Sequence, residues 1–126
     1  MLSFTKFVTE QSVVGGFNIP RASMPQIADQ EGFAQYLEFL GVFVQRAPTQ
    51  LSALKPTQTE FDQAKVDAIK APYGSIIVSS DGYILDGHHR FFAAVADPSH
   101  DSIDTYTCDV TINHLLAHAN DYLSDE

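Results

Sequence analysis

The chain has a single cysteine, Cys108, in 126 residues. One thiol excludes an internal disulfide and is expected of a protein kept in a reducing cytoplasm. Cys108 lies in the run Thr105-Tyr106-Thr107-Cys108-Asp109-Val110, which reads as a strand. In such a place a thiol is expected to be a small buried apolar group, not a nucleophile. No run of eighteen apolar residues is present, so no membrane-spanning helix is expected. The opening Met1-Leu2-Ser3-Phe4-Thr5-Lys6-Phe7 is too short and too polar for a signal peptide. There is no internal repeat and no low-complexity tract.

Positive charge is also scarce. Seven Lys and Arg face sixteen Asp and Glu, for a net charge of −9. From Asp97 onward the chain carries Asp97, Asp101, Asp104, Asp109, Asp121, Asp125 and Glu126 but no Lys or Arg. A nucleic-acid binder needs cations to replace the counterions along a phosphate backbone. Tight DNA binding is therefore not expected, whereas a local cationic cluster can still hold one small phosphorylated ligand.

A hydrophobic fraction of 44% with nine Phe supplies a core, and the length is that of one domain. Leu2, Phe4, Phe7 and Val8 fit an amphipathic helix over residues 1–10, and Val13 to Pro20 is punctuated as loop or extended chain. Arg21 to Ile27 is a loop between two prolines. It reads either as a surface connection or as a substrate loop in which Arg21 adds a cation. Phe33, Tyr36, Leu37 and Leu40 form a helical stripe expected in the core, and Gly41 ends that helix. Val42 to Arg46 reads as a strand broken by Ala47-Pro48, and Gln50 to Leu54 as a short extended piece.

Thr57 or Thr59 is expected to cap a helix bearing Phe61, Ala64, Val66 and Ile69. Glu60 then falls in its first turn, where an acid interacts well with the helix dipole. Ala71 to Gly74 stops that helix. Ser75 to Ser79 reads as a central strand, Ser80-Asp81-Gly82 as a turn, and Tyr83 to Leu85 as the returning strand. Asp97 to Asp101 is a polar loop. A strand over Asp104–Ile112 and a last helix capped by Asn113, with Leu115, Leu116, Ala119 and Leu123 inward, complete the chain. These elements predict a small α+β domain with a mixed sheet and flanking helices. Its single domain spans 1–126, with an N-terminal helical extension over 1–50 and a C-terminal strand and helix over 104–123.

The most informative stretch is Asp86-Gly87-His88-His89-Arg90. It ends a strand and opens a helix whose apolar positions include Phe91, Phe92 and Val95. Asp86 is the expected N-cap, and Gly87 lets backbone approach whatever sits above the turn. Two imidazoles and a guanidinium thus crowd a helix N-terminus, where N–H groups without helical partners already favour an anion. A hairpin followed by a helix with surface polar residues gives a similar pattern. A metal site is a third option for His88 and His89. Adjacent helical residues point about 100° apart, however, and no neighbouring ligand cluster completes such a site. His114 and His118, four apart on the last helix, likewise lack a recognisable third ligand. No protein-held metal is expected.

Leu54-Lys55-Pro56-Thr57-Gln58, Phe61-Asp62, Lys65-Val66, Ile76-Ile77-Val78 and Asp86-Gly87-His88-His89-Arg90 with Ala93-Ala94 together resemble the ParB/sulfiredoxin superfamily. ParB has a Gly-Glu-Arg-Arg turn at this place and sulfiredoxin has Gly-Cys-His-Arg. The archaeal free-serine kinases have a turn close to Asp-Gly-His-His-Arg, which this chain matches most nearly. The resemblance runs from Leu51 to Ala96 and implies that the turn binds nucleotide phosphates. It also implies that Lys55, Thr57 and Gln58 join Asp86 to Arg90 in that site. Glu60 matches best the glutamate that serves the serine kinases as base, which makes Glu60 and His88 the catalytic candidates. The implied ligands are ATP or a related nucleotide, with Mg²⁺ brought mainly by the nucleotide and Asp86 as the nearest carboxylate. Sulfiredoxin chemistry is not expected, because His88 stands where that family has its cysteine.

Three classes follow. The first is a phosphotransferase acting on a hydroxyl acceptor, either a small molecule or a host protein. The second is a ParB-like nuclease or nucleotide hydrolase. The third is a non-catalytic nucleotide-dependent protein that occupies a host partner. The opening residues and small size resemble proteins of tailed bacteriophages, which would place the chain in the host cytoplasm.

Overall fold

The computed structural model describes residues 19–20, 23–58 and 60–124. The expected helix over 1–10, the segment 13–18 and Arg21 lie outside them. Among the described residues the chain folds as an α+β unit around a five-stranded mixed sheet of order β1-β5-β3-β4-β2. The strands are β1 (Val44–Gln50), β2 (Lys55–Pro56), β3 (Ser75–Ser79), β4 (Tyr83–Asp86) and β5 (Ser102–Cys108). The helices are α1 (Gln30–Phe39), α2 (Gln63–Ala68), α3 (His88–Val95) and α4 (Ile112–Ser124). β1 pairs antiparallel with β5, β5 parallel with β3, β3 antiparallel with β4, and β4 parallel with β2.

β3 is central because its side chains are apolar on both faces, as a strand covered on both sides must be. Ile76 and Val78 enter one core with Leu54, Val66, Ile84, Phe91 and Phe92, under α2 and α3. Ile77 points the other way, joining Phe33, Leu37, Leu85, Cys108, Ile112 and Leu115 under α1 and α4. The two-residue period of a strand thus divides one apolar run between two cores. Cys108 is buried, and its thiol is pushed up to about 12 by burial.

Several boundaries differ from the sequence expectation. β1 runs through Ala47 and Pro48 instead of ending there, because it is an edge strand and a proline there withholds no N–H from a neighbour. Gln50 to Leu54 is not extended: Leu51–Ala53 forms a 3₁₀ turn. α2 starts later and is shorter than expected. Its cap is Asp62, whose side chain accepts the Ala64 N–H at 2.9 Å, while the Thr57 hydroxyl is spent on the Ile84 carbonyl at 2.6 Å. Asn113 lies inside α4. The helix opens at Ile112, whose N–H donates to Asp81 at 3.2 Å. β5 covers Ser102–Cys108 and stops short of Ile112. Phe33 and Leu37 are core as expected, but Leu40 is exposed beyond the end of α1.

Candidate functional site

β3 and β4 run antiparallel, so the start of β3 and the end of β4 meet at the same end of the sheet. The chain leaves β4 at Asp86, turns at Gly87 and enters α3. Gly87 has φ +95° and stands as the helix N-cap, so the expected cap role of Asp86 is not realised. A Cβ on Gly87 would lie 2.6 Å from Ile76 Cγ2. The close approach that requires glycine here is therefore to β3, which presses the turn down onto the sheet.

Above the turn lies a cavity of about 250 Å³. Its walls include Gln58 from the loop after β2, Lys65 from α2, Gln26 and Ile27 from the chain before α1, and Asp86 to Arg90. Polar groups dominate it, and the N-terminus of α3 opens into it. The first N–H groups of a helix have no acceptor within the helix, and together they carry a partial positive charge. Arg46, Lys55, Lys65, Lys70 and Arg90 are the described cations, and Lys65 and Arg90 line this cavity.

Asp86 is half-buried and well held. Its Oδ1 accepts the Ile27 N–H at 3.2 Å and its Oδ2 accepts Gln30 Nε2 at 2.9 Å. Burial pushes its carboxyl upward, and the two hydrogen bonds and the Arg90 charge partly offset that shift. Gln30 is fixed in turn by the Ser75 hydroxyl, which donates to Gln30 Oε1 at 2.5 Å. Arg90 is exposed, and its Nη1 donates to the Ser75 carbonyl at 2.6 Å. Ser75 therefore links both ends of the turn.

The two histidines do different things. His88 is buried, and its Nε2 accepts the Thr57 N–H at 3.1 Å, with the Gln58 N–H at 3.4 Å. Burial lowers its pKa to about 3, with the His89 charge a smaller contribution. His88 is thus a neutral ring holding the loop after β2, and it adds no positive charge to the cavity. His89 is half-buried, and its Nε2 accepts the Asp62 N–H at 3.0 Å.

Of the residues expected from the first motif, Gln58 reaches the cavity and Lys55 does not. Lys55 pairs with Tyr83 at the far end of β4, and its ammonium sits 4.3 Å from the centre of that ring. That is a cation–π contact. Thr57 is buried behind the cavity with its hydroxyl on Ile84. Glu60 is exposed in the loop before α2, and its backbone carbonyl accepts Gln58 Nε2 at 2.7 Å. It precedes the Asp62 cap by two positions, so it is outside the first helical turn, where α2 has no acid. Lys65, not expected as a ligand from the sequence, lines the cavity from the short helix that Asp62 caps.

Among the described residues, no group of three or more His, Cys, Asp or Glu comes together as a metal site. His114 is exposed and His118 half-buried on the outer part of α4. No helix of the described residues is long and apolar enough to cross a membrane. No protein family, curated protein or solved structure matches this chain, so the chemistry of the cavity rests on its own residues.

Proposed function

We propose that the chain binds ATP or a related nucleotide through its phosphates at the N-terminus of α3 and transfers a phosphoryl group to a hydroxyl acceptor. The observation that carries this reading is the company kept by that terminus. Lys65 and Arg90 flank it in one cavity, in a chain whose net charge is −9. An anion there gains both the helix N-terminus and charge-assisted hydrogen bonds, the strongest kind available to a phosphate. The volume supports a phosphate chain. At about 250 Å³ the cavity falls below the range of roughly 300–1,000 Å³ usual for whole ligands, which leaves a nucleoside to extend past its mouth.

The order of elements supports a ParB/sulfiredoxin-like arrangement. β2, α2, β3, β4 and α3 bring Gln58, Lys65 and the Asp86–Arg90 turn together across long stretches of sequence. His88 positions the Gln58 loop, His89 holds the Asp62 cap of α2, and Arg90 and Lys65 hold negative oxygens. Mg²⁺ bound with the nucleotide supplies further charge neutralisation. Among the described residues Asp86 is the one carboxylate lining the cavity, and a single carboxylate suits an ion that takes most of its ligands from phosphate and water. Glu60, two positions after Gln58 and exposed, takes the proton from the acceptor hydroxyl.

The test is incubation with γ-labelled ATP, Mg²⁺ and a cell extract, followed by separation of the products. Label in a defined acceptor supports the proposal. Label released only as inorganic phosphate makes water the acceptor, and the absence of nucleotide binding by calorimetry overturns the reading altogether.

A further inference from the structure

At the opposite end of α1 from Gln30 lies a surface with no part in the nucleotide reading. Phe39, Leu40 and Phe43 are the large hydrophobic side chains exposed among the described residues, at 87%, 46% and 65%. They follow one another around the turn between α1 and β1. Leu40 belongs by periodicity to a buried stripe, yet it lies outside the core. Such a break between pattern and packing marks a place where sequence serves something other than the fold. Beside the turn is a groove of about 270 Å³ between α1 and β1, with Ala34 and Val44 in its floor and Glu31 and Glu38 on its rim.

Charge decides what fits there. Arg46, the cation of the groove, is already committed. It donates to Asp104 at 3.2 Å and to the Tyr106 hydroxyl at 3.1 Å, with its guanidinium 5.0 Å from the Tyr106 ring centre. Glu31 lies within reach of the Arg46 charge without forming an ion pair, and no ion pair of the described residues includes Glu38; the two stand seven positions apart on the exposed side of α1. A second copy of this chain would bring another −9 and a second pair of glutamates against the first. Pro48 and Arg46 also make β1 a poor edge for pairing with another strand. We infer that this surface docks a basic amphipathic protein segment. Its apolar side chains cover Phe39, Leu40 and Phe43, and its Lys or Arg face Glu31 and Glu38.

The chain has no tryptophan, so Phe43→Trp places a unique fluorophore in the patch without touching the core. The probe is an eighteen-residue helical peptide of Leu and Lys, compared with a Leu and Glu peptide of the same pattern. The expected result has three parts. The free chain shows water-exposed emission at all protein concentrations. The Leu–Lys peptide shifts it to the blue and the Leu–Glu peptide does not. Titrations followed by calorimetry show Phe39→Ser with Phe43→Ser weakening the Leu–Lys complex by at least about tenfold, as loss of central apolar anchors does. Glu31→Gln with Glu38→Gln weakens it and flattens its salt dependence.

Emission already blue-shifted in the free chain and independent of concentration would mean that residues 1–18 cover the patch. A blue shift that grows with protein concentration would mean a second copy. Either result overturns the inference, as does Leu–Lys binding that is indifferent to Phe39→Ser with Phe43→Ser. None of these outcomes bears on the nucleotide cavity.

Discussion

His88 Nε2 accepts the backbone N–H of Thr57 at 3.1 Å, from a residue 31 positions earlier in the chain. One imidazole thereby joins the start of α3 to the loop that carries Gln58, so two walls of the cavity are set by one buried ring. The contact demands a neutral ring, because a lone pair must face the amide. It follows that the first residue of the apparent cationic cluster is there to be uncharged.

The pH dependence of stability follows from that requirement. His88 has a folded pKa of about 3 against an ordinary 6.5, so between these values the unfolded chain takes up a proton that the folded chain refuses. The contribution is fully present above about 6.5 and is lost as pH falls toward about 3, at up to about 1.4 kcal/mol per pH unit. Denaturant melts of wild type and His88→Gln across this window should show the steeper loss in wild type. Parallel curves would mean that His88 is not buried neutral. At neutral pH, His88→Ala should itself cost about 1–3 kcal/mol by leaving the Thr57 N–H without its acceptor.

Gly87→Ala tests how tightly the turn is pressed onto β3. The φ of +95° disfavours any Cβ, and this one would meet Ile76 Cγ2 at 2.6 Å, with the Ile76 backbone close behind. The expected cost is about 1–3 kcal/mol, as for other overpacked sites, read as a lower melting midpoint with an unchanged denaturant slope. A Gly87→Ala protein as stable as wild type would show that the turn can lift away from the sheet.

Much of the sheet was legible because its signals are local. The apolar run Ile76-Ile77-Val78, the Asp81-Gly82 turn and the Tyr83 to Leu85 run mark β3 and β4 with nothing distant needed. The elements misread are those decided by partners far along the chain. Pro48 stays in β1 because no strand of the described residues lies beyond it, and edge position cannot be read from a single strand. Thr57 fails as a cap because Ile84, 27 positions away, claims its hydroxyl. Lys55 and Lys65 look alike in sequence, each a cation within the same motif region. Only the pairing of β2 with β4 sends the first to Tyr83, while the position of α2 sends the second to the cavity.

The cavity cations should be separable by calorimetry. Arg90→Ala and Lys65→Ala are each expected to weaken binding of Mg²⁺–ATP by about 1.5–3 kcal/mol, the range for hydrogen bonds to charged groups. Lys55→Ala should leave that affinity unchanged, since its ammonium rests on Tyr83 at the far end of β4. If Lys55→Ala weakens binding as much as Arg90→Ala does, the nucleotide lies elsewhere than over the α3 terminus.

Glu60→Gln separates binding from catalysis. With Asp62 as the cap, Glu60 stands before α2, and the dipole role that would have tied it to stability is removed. The substitution is therefore expected to leave the melting curve within a few tenths of a kcal/mol of wild type, as for an exposed surface change. Gln keeps the shape and reach of the side chain but lacks the basic oxygen. As the proton acceptor for a hydroxyl, Glu60 should contribute roughly 10²–10⁴-fold to turnover. The variant should then bind nucleotide normally and transfer phosphate more slowly by that factor at saturating nucleotide. Asp86→Asn offers the contrast, because its carboxylate lines the cavity and accepts from Ile27 and Gln30, so affinity and turnover should fall together. Full turnover in a folded Glu60→Gln protein would pass the base role to another group, and Asp86 is the carboxylate already within the cavity.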